Sequence, residues 1–189
     1  MYYKKLTMYR NLIFLLLFLL LSAQQYRLVK VKVDKNITVK LPSDFTLVPE
    51  ADVGTKYISY RFPIALYSNS TKEVDFSVNF SVSKWQSSDL ELVQSFYKSN
   101  IANLFDNIEF LSESIEEIND RKYIVFEFTS SISEAQSVLR QGASIKKYYY
   151  IQYTLLQGTV LIFSFSTPQR IMNEWRTTAG EIMHTVKIK

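Results

Sequence analysis

Chemistry in this chain of 189 residues would have to be carried by oxygen and by one imidazole, because it has no cysteine and a single histidine, His184. Without cysteine there is no thiolate nucleophile, no thiolate metal site and no disulfide. A Ser-His-Asp arrangement or an imidazole-based metal site would rest on His184 alone. That residue falls near the end of a C-terminal helical pattern, where a half-exposed imidazole suits the negative end of the helix dipole. A structural role is therefore expected of it. The four glycines, Gly54, Gly142, Gly158 and Gly180, are isolated from one another, so neither a Gly-x-Ser-x-Gly elbow nor a phosphate-cradling loop is present.

Carboxylates are the remaining acid–base candidates, since glycoside hydrolysis needs only two well-placed acids. Glu113, Glu116, Glu117 and Asp120 cluster before and within a hairpin turn, and Glu113 with Glu117 is the pair a hydrolase would use. Asp44, Glu50 and Asp52 form a second acidic group that lacks the ligand spacing of a calcium loop. A solvated hairpin end and a solvated loop explain both groups more simply. No catalytic set, metal site or cofactor is expected.

Binding offers better candidates. Lys146-Lys147 runs into Tyr148-Tyr149-Tyr150, a basic, aromatic stretch of the kind that receives a polyanion or glycan. Trp85 closes a long strand, where an indole can stack on a ligand or seal a sheet edge. Trp85, Lys146, Lys147 and Tyr149 are therefore the candidate ligand- or partner-contacting residues. Ordinary strand entry and core packing would account for the same four.

Those residues must be positioned by a domain that follows an address. Lys4, Lys5 and Arg10 precede an unbroken apolar run from Leu12 to Leu21, and Ser22-Ala23-Gln24 supplies small residues for cleavage. Ten apolar residues are half the roughly 20 that cross a bilayer as a helix. Residues 1–23 are thus expected to be a cleaved signal peptide, and 24–189 a single exported domain, periplasmic or extracellular, without a stable membrane span. The chain's net charge of +4 comes from 22 cations and 18 acids. Three of the cations and none of the acids lie in the leader, so residues 24–189 carry 19 against 18. This balance offers no support for nucleic acid as a partner. A hydrophobic share of 47% with only four Gly and four Pro indicates a packed globule rather than a disordered chain.

Strand signals dominate the domain. Tyr26–Val33 and Ile37–Leu41 alternate, with Pro42-Ser43-Asp44 as a break. Phe45–Val48 and Tyr57–Phe62 are short candidates. Val74, Phe76, Val78, Phe80 and Val82 share one face of a strand running to Trp85, a period-two pattern with no helical counterpart. A helix follows, with Ser88 and Glu91 as a capping box and Leu92, Val93, Phe96, Tyr97, Ile101, Leu104 and Phe105 as its buried stripe. Two hairpins come next: Ile108–Ile118 with Arg121–Thr129 around Asn119-Asp120, and Tyr148–Leu156 with Thr159–Thr167 around Gln157-Gly158. The second hairpin is apolar at most positions and should lie centrally. A short helix is expected around Glu134–Arg140. The last helix should start at Thr167-Pro168, bury Ile171, Met172, Trp175, Ala179, Ile182 and Met183, and lead into an edge strand at Val186–Lys189. The order predicts an α+β fold, an antiparallel sheet flanked by helices.

This layout resembles the Mog1/PsbP-like superfamily, and within it the small exported bacterial members. The likeness is carried by Leu41-Pro42-Ser43-Asp44-Phe45 at the end of an early strand, the hydrophobic strand up to Trp85 and the helix after it. Gly158–Pro168 running into the Trp175 helix, and the closing Val186-Lys187-Ile188-Lys189, complete it. The resemblance implies a central antiparallel sheet in an α/β/α sandwich and a non-catalytic binding or assembly factor, with no family-wide catalytic residues to carry over. The expected function is an exported, non-enzymatic module whose partner is a protein or an envelope component, acting as a monomer. The alternative is a small-molecule or lipid carrier with an apolar cavity between the sheet and its helices.

Overall fold

The computed structural model of the chain describes residues 26–56, 63–82, 85–132 and 145–189. The leader, the Tyr57–Phe62 strand and the Glu134–Arg140 helix lie outside those residues.

Alternating sequence becomes two antiparallel sheets. The smaller has the order β1-β2-β10, with β1 at Leu28–Lys32, β2 at Ile37–Pro42 and β10 at Lys187–Ile188. The larger has seven strands in the order β3-β4-β5-β9-β8-β7-β6. These are β3 Thr46–Leu47, β4 Ala65–Ser68, β5 Asp75–Val82, β6 Asn107–Ile118, β7 Arg121–Ile132, β8 Ile145–Leu156 and β9 Thr159–Pro168. The second hairpin, β8 and β9, lies centrally as its two-sided apolar sequence requires. Each hairpin closes through a tight turn with both central residues at positive φ, Asn119 and Asp120 in one, Gln157 and Gly158 in the other. This backbone matches the right-handed twist of the strands that it joins.

Helices cover both faces of the large sheet. On one face, α2 (Leu90–Leu104) packs Val93 and Ile101 against a cluster containing Ile124, Phe126, Phe128, Tyr153 and Val160. On the other, α3 (Met172–His184) packs Trp175, Ala179, Ile182 and Met183 against Phe76, Val78, Phe163 and Phe165. The inward residues of the small sheet, Ile37, Val39 and Leu41, join this second cluster. Trp175 is its hub: the ring stacks on Tyr26 at 4.3 Å between centroids and lies 5.9 Å from both Phe45 and Phe165. A short α1 (Glu50–Lys56) precedes β4.

Three local expectations shift. The reciprocal cap before α2 sits two residues upstream of Ser88 and Glu91: the Gln86 N–H donates to Oδ2 of Asp89 at 2.8 Å. A 3-10 turn at Ser87–Asp89 then leads into the helix. Thr167 does not cap α3, because Pro168 is extended and still paired with Lys147. The chain turns through a 3-10 segment, Gln169–Ile171, and α3 begins only at Met172. Val74, just before β5, and Phe76 and Val78 on it are fully buried, but Phe80 and Val82 emerge beyond the helix cover.

Candidate binding surface

The α2 stripe is broader than the sheet beneath it. At 3.6 residues per turn, positions 92 to 101 sweep through about half of the helix circumference. The sheet takes Val93, Tyr97 and Ile101, with Tyr97 stacked on Tyr153 at 4.2 Å. Leu92 and Phe96 are left at the solvent-facing edge, 60% and 45% exposed. Trp85 sits beside them, its ring 5.7 Å from Phe96, and Phe96 in turn meets the edge of Tyr97 at 5.3 Å. The result is a contiguous aromatic and aliphatic surface running from the chain before α2 onto its first turns.

The other candidate residues lie elsewhere. Tyr149 stacks on Phe128 at 5.1 Å and packs against Phe105, just past the C-terminal end of α2. Phe105 is nine residues beyond Phe96, about 14 Å along the helix, so Trp85 and Tyr149 occupy opposite ends of α2. Strand alternation divides the two lysines. Lys147 shares a face with Tyr149 and is half-buried, whereas Lys146 is exposed on the face of Tyr148. Tyr148 itself is fully buried.

The acidic groups serve local bonds. Glu113 accepts from Nε2 of Gln94 at 3.1 Å and pairs with Lys98, whose ammonium also lies 5.4 Å from the Phe110 ring centre. Glu113 and Glu117 are four residues apart on one edge strand, so their Cα atoms are about 13 Å apart. Glu116 accepts from Ser114 and approaches Nε2 of His184 at 3.4 Å. The other imidazole nitrogen, Nδ1, lies 2.7 Å from the Gly180 carbonyl, one turn earlier in α3. Asp44 accepts from the Ser70 backbone and hydroxyl at 3.4 and 3.3 Å. Among the described residues, no three His, Asp or Glu side chains converge as a metal site requires.

One buried polar cluster escaped the sequence reading. Glu127, on β7 facing α3, accepts from the Tyr148 hydroxyl at 2.8 Å and from Arg176. Burial, reinforced by the Glu127 carboxylate, raises the Tyr148 phenol above its ordinary range. No spacing in the sequence links residues 127, 148 and 176. The exposure of Leu92 and Phe96 did leave a signal, namely the width of the apolar sweep along α2.

Between the Val74–Val82 face and α3, the volume that a carrier would use is occupied by Phe76, Val78, Phe163, Phe165 and Trp175, each at most 3% exposed. No helix among the described residues is long and apolar enough to cross a membrane.

No family model matches the sequence, and no curated protein is detectably similar to it. Solved structures are similar in fold. Cyanobacterial PsbP (CyanoP) from Synechocystis aligns over 89% of this chain and 96% of its own, with TM-score 0.60 and 12% identity. The Ran-binding protein Mog1p of Saccharomyces cerevisiae aligns over 87% and 96%, with TM-score 0.56 and 13% identity. LpqN of Mycobacterium tuberculosis, involved in cell envelope biogenesis, aligns over 88% and 92%, with TM-score 0.55 and 14% identity. Element order, sheet topology and these three likenesses agree, and the chain has the Mog1/PsbP-like fold.

Proposed function

We propose that this chain is an exported, non-enzymatic binding or assembly module that docks a protein or another envelope component through the surface formed by Trp85, Leu92 and Phe96. The observation that carries the reading is the exposure of Leu92 and Phe96 beside Trp85 on a helix whose other face is well packed. Large aromatic and aliphatic groups left contiguous at a surface favour association, because covering them removes apolar area from water. The fold neighbours give the reading context, since one is a Ran-binding protein and another is involved in cell envelope biogenesis. Lys147 and Tyr149, at the far end of the same helix, would extend the contact, whereas Lys146 lies on the opposite face of the sheet.

The test is site-specific photo-crosslinking from position 92 of the full chain, in cells that export it. A discrete adduct that is lost when Trp85 and Phe96 are both replaced by alanine is the expected result. Crosslinking that is absent, or that is indifferent to those replacements, would overturn the proposal.

A further inference from the structure

The near-neutral balance of residues 24–189 conceals a segregation of charge. In the small sheet, Val29 and Val31 of β1 pair with Leu41 and Val39 of β2. By alternation the other set, Lys30 and Lys32 of β1 with Thr38 and Lys40 of β2, lies on the opposite face. Lys30 stands directly across from Lys40. Thr38 has Lys32 as its partner on one side and Lys187 of β10 on the other. All four lysines are exposed, and among the described residues none has an ion-pair partner. The nearest acid in sequence, Asp34, turns its Oδ1 to the backbone N–H groups of Asn36 and Ile37, each at 2.7 Å. Like charges facing each other across strands are destabilising, and no acid among the described residues pairs with Lys30 or Lys40. One face of the small sheet is therefore cationic, although residues 24–189 as a whole are nearly balanced.

We infer that the outer face of the β1-β2-β10 sheet, formed by Lys30, Lys32, Lys40 and Lys187, seats the domain on a bilayer surface rich in anionic lipid headgroups. Two observations select lipid over other polyanions. The face, with Lys30, Lys32, Thr38, Lys40 and Lys187, carries none of the aromatic residues that stack on nucleic-acid bases. Its first lysine, Lys30, also lies nine residues after Leu21, the end of the apolar run Leu12–Leu21. Nine residues span at most about 32 Å when extended, so during export, before the leader is cleaved, a bilayer that receives the apolar run is within reach of the lysines. Each such cation gains from the negative surface potential, and the gain falls off within a Debye length. The surface is separate from the one around Trp85, and the inference does not depend on that docking reading.

The experiment uses the full chain and sedimentation with large vesicles, either pure phosphatidylcholine or phosphatidylcholine with 30% phosphatidylglycerol. The comparison is with a quadruple variant, Lys30→Gln, Lys32→Gln, Lys40→Gln and Lys187→Gln. The variant should partition onto the anionic vesicles up to about 1,000-fold more weakly at low salt and onto the neutral vesicles as the parent does. A quadruple arginine variant should retain anionic binding, and the melting temperature of the glutamine variant, equal to or above the parent's, should show that the fold is intact. Equal partition of parent and glutamine variant onto anionic vesicles would overturn the inference. So would lysine-dependent retention on heparin or duplex DNA without lysine-dependent binding to vesicles, which would make the ligand a soluble polyanion.

Discussion

Arg176 grips Glu127 with a forked pair of hydrogen bonds, Nε to Oε1 at 2.6 Å and Nη2 to Oε2 at 3.1 Å. The pair fastens α3 to β7 from the edge of the core, with the carboxylate buried and the guanidinium half in water. Hydrogen bonding to Glu127 raises Arg176 above its already high pKa. The two partners are unequal. Replacing Arg176 by alanine leaves Glu127 its bond from Tyr148 and some access to water, and should cost about 1–2 kcal/mol. Replacing Glu127 by alanine strands the Tyr148 hydroxyl where no water reaches, and should cost about 3 kcal/mol. Urea unfolding checks this ordering: both midpoints fall, that of the Glu127 variant further, with unchanged slope.

Alkaline pH should unfold the domain. Burial pushes Tyr123 and Tyr150 up to about 12, and burial with the neighbouring Glu127 raises Tyr148 as well. In the unfolded chain these phenols ionise near 10. Between pH 10 and 12 the unfolded state therefore releases protons that the folded state retains, and stability falls as pH rises. Stability from this source is complete below pH 10. A titration followed by tyrosinate absorbance should show exposed phenols ionising first, then a cooperative step that coincides with loss of circular dichroism.

The two tryptophans should separate stability from binding. Trp175→Ala removes the ring around which Tyr26, Phe45 and Phe165 are arranged and should cost about 3–5 kcal/mol. Trp85→Ala, at a half-buried position with Phe96 as its ring neighbour, should cost about 1 kcal/mol. Thermal denaturation of the two variants measures the difference.

Turn residues make opposite demands. The Asn119 side chain donates to the carbonyls of His184 at 3.3 Å and Val186 at 2.8 Å, so the β6-β7 turn also holds the end of α3. Asn119→Ala loses both bonds and a residue type tolerant of φ 51°, and should destabilise by about 1–2 kcal/mol. Asp120→Gly relieves φ 62° at the second turn position and should be neutral or stabilising by up to about 1 kcal/mol. Chemical denaturation distinguishes a shared tie from a plain turn by the contrast between the two.

Period-two alternation and turn chemistry made most of the strands legible in the sequence, and the two-sided apolar character of β8 and β9 put them at the centre of the sheet. What stayed hidden were relations between distant residues. Nothing local joins Lys30 and Lys40 to Lys187, so a patch assembled by register looked like a balanced chain. The exposure of Leu92 and Phe96 depends on how much of α2 the sheet covers, which periodicity alone does not fix. Pro168 misplaced the start of α3 because its fixed φ suits an extended strand end as well as a first helical turn.

Strand β2 is a seam between distant segments. It takes β1 on one side and β10 on the other, with Thr38 paired to Lys187 across 149 positions. Without β10, Ile37 has no neighbour on that side, and Val186 just before it covers the α3 cluster. Closing a contact across so many residues takes chain entropy before it returns any stability. The small sheet is therefore a late knot in folding, tied only after its far-apart threads have met.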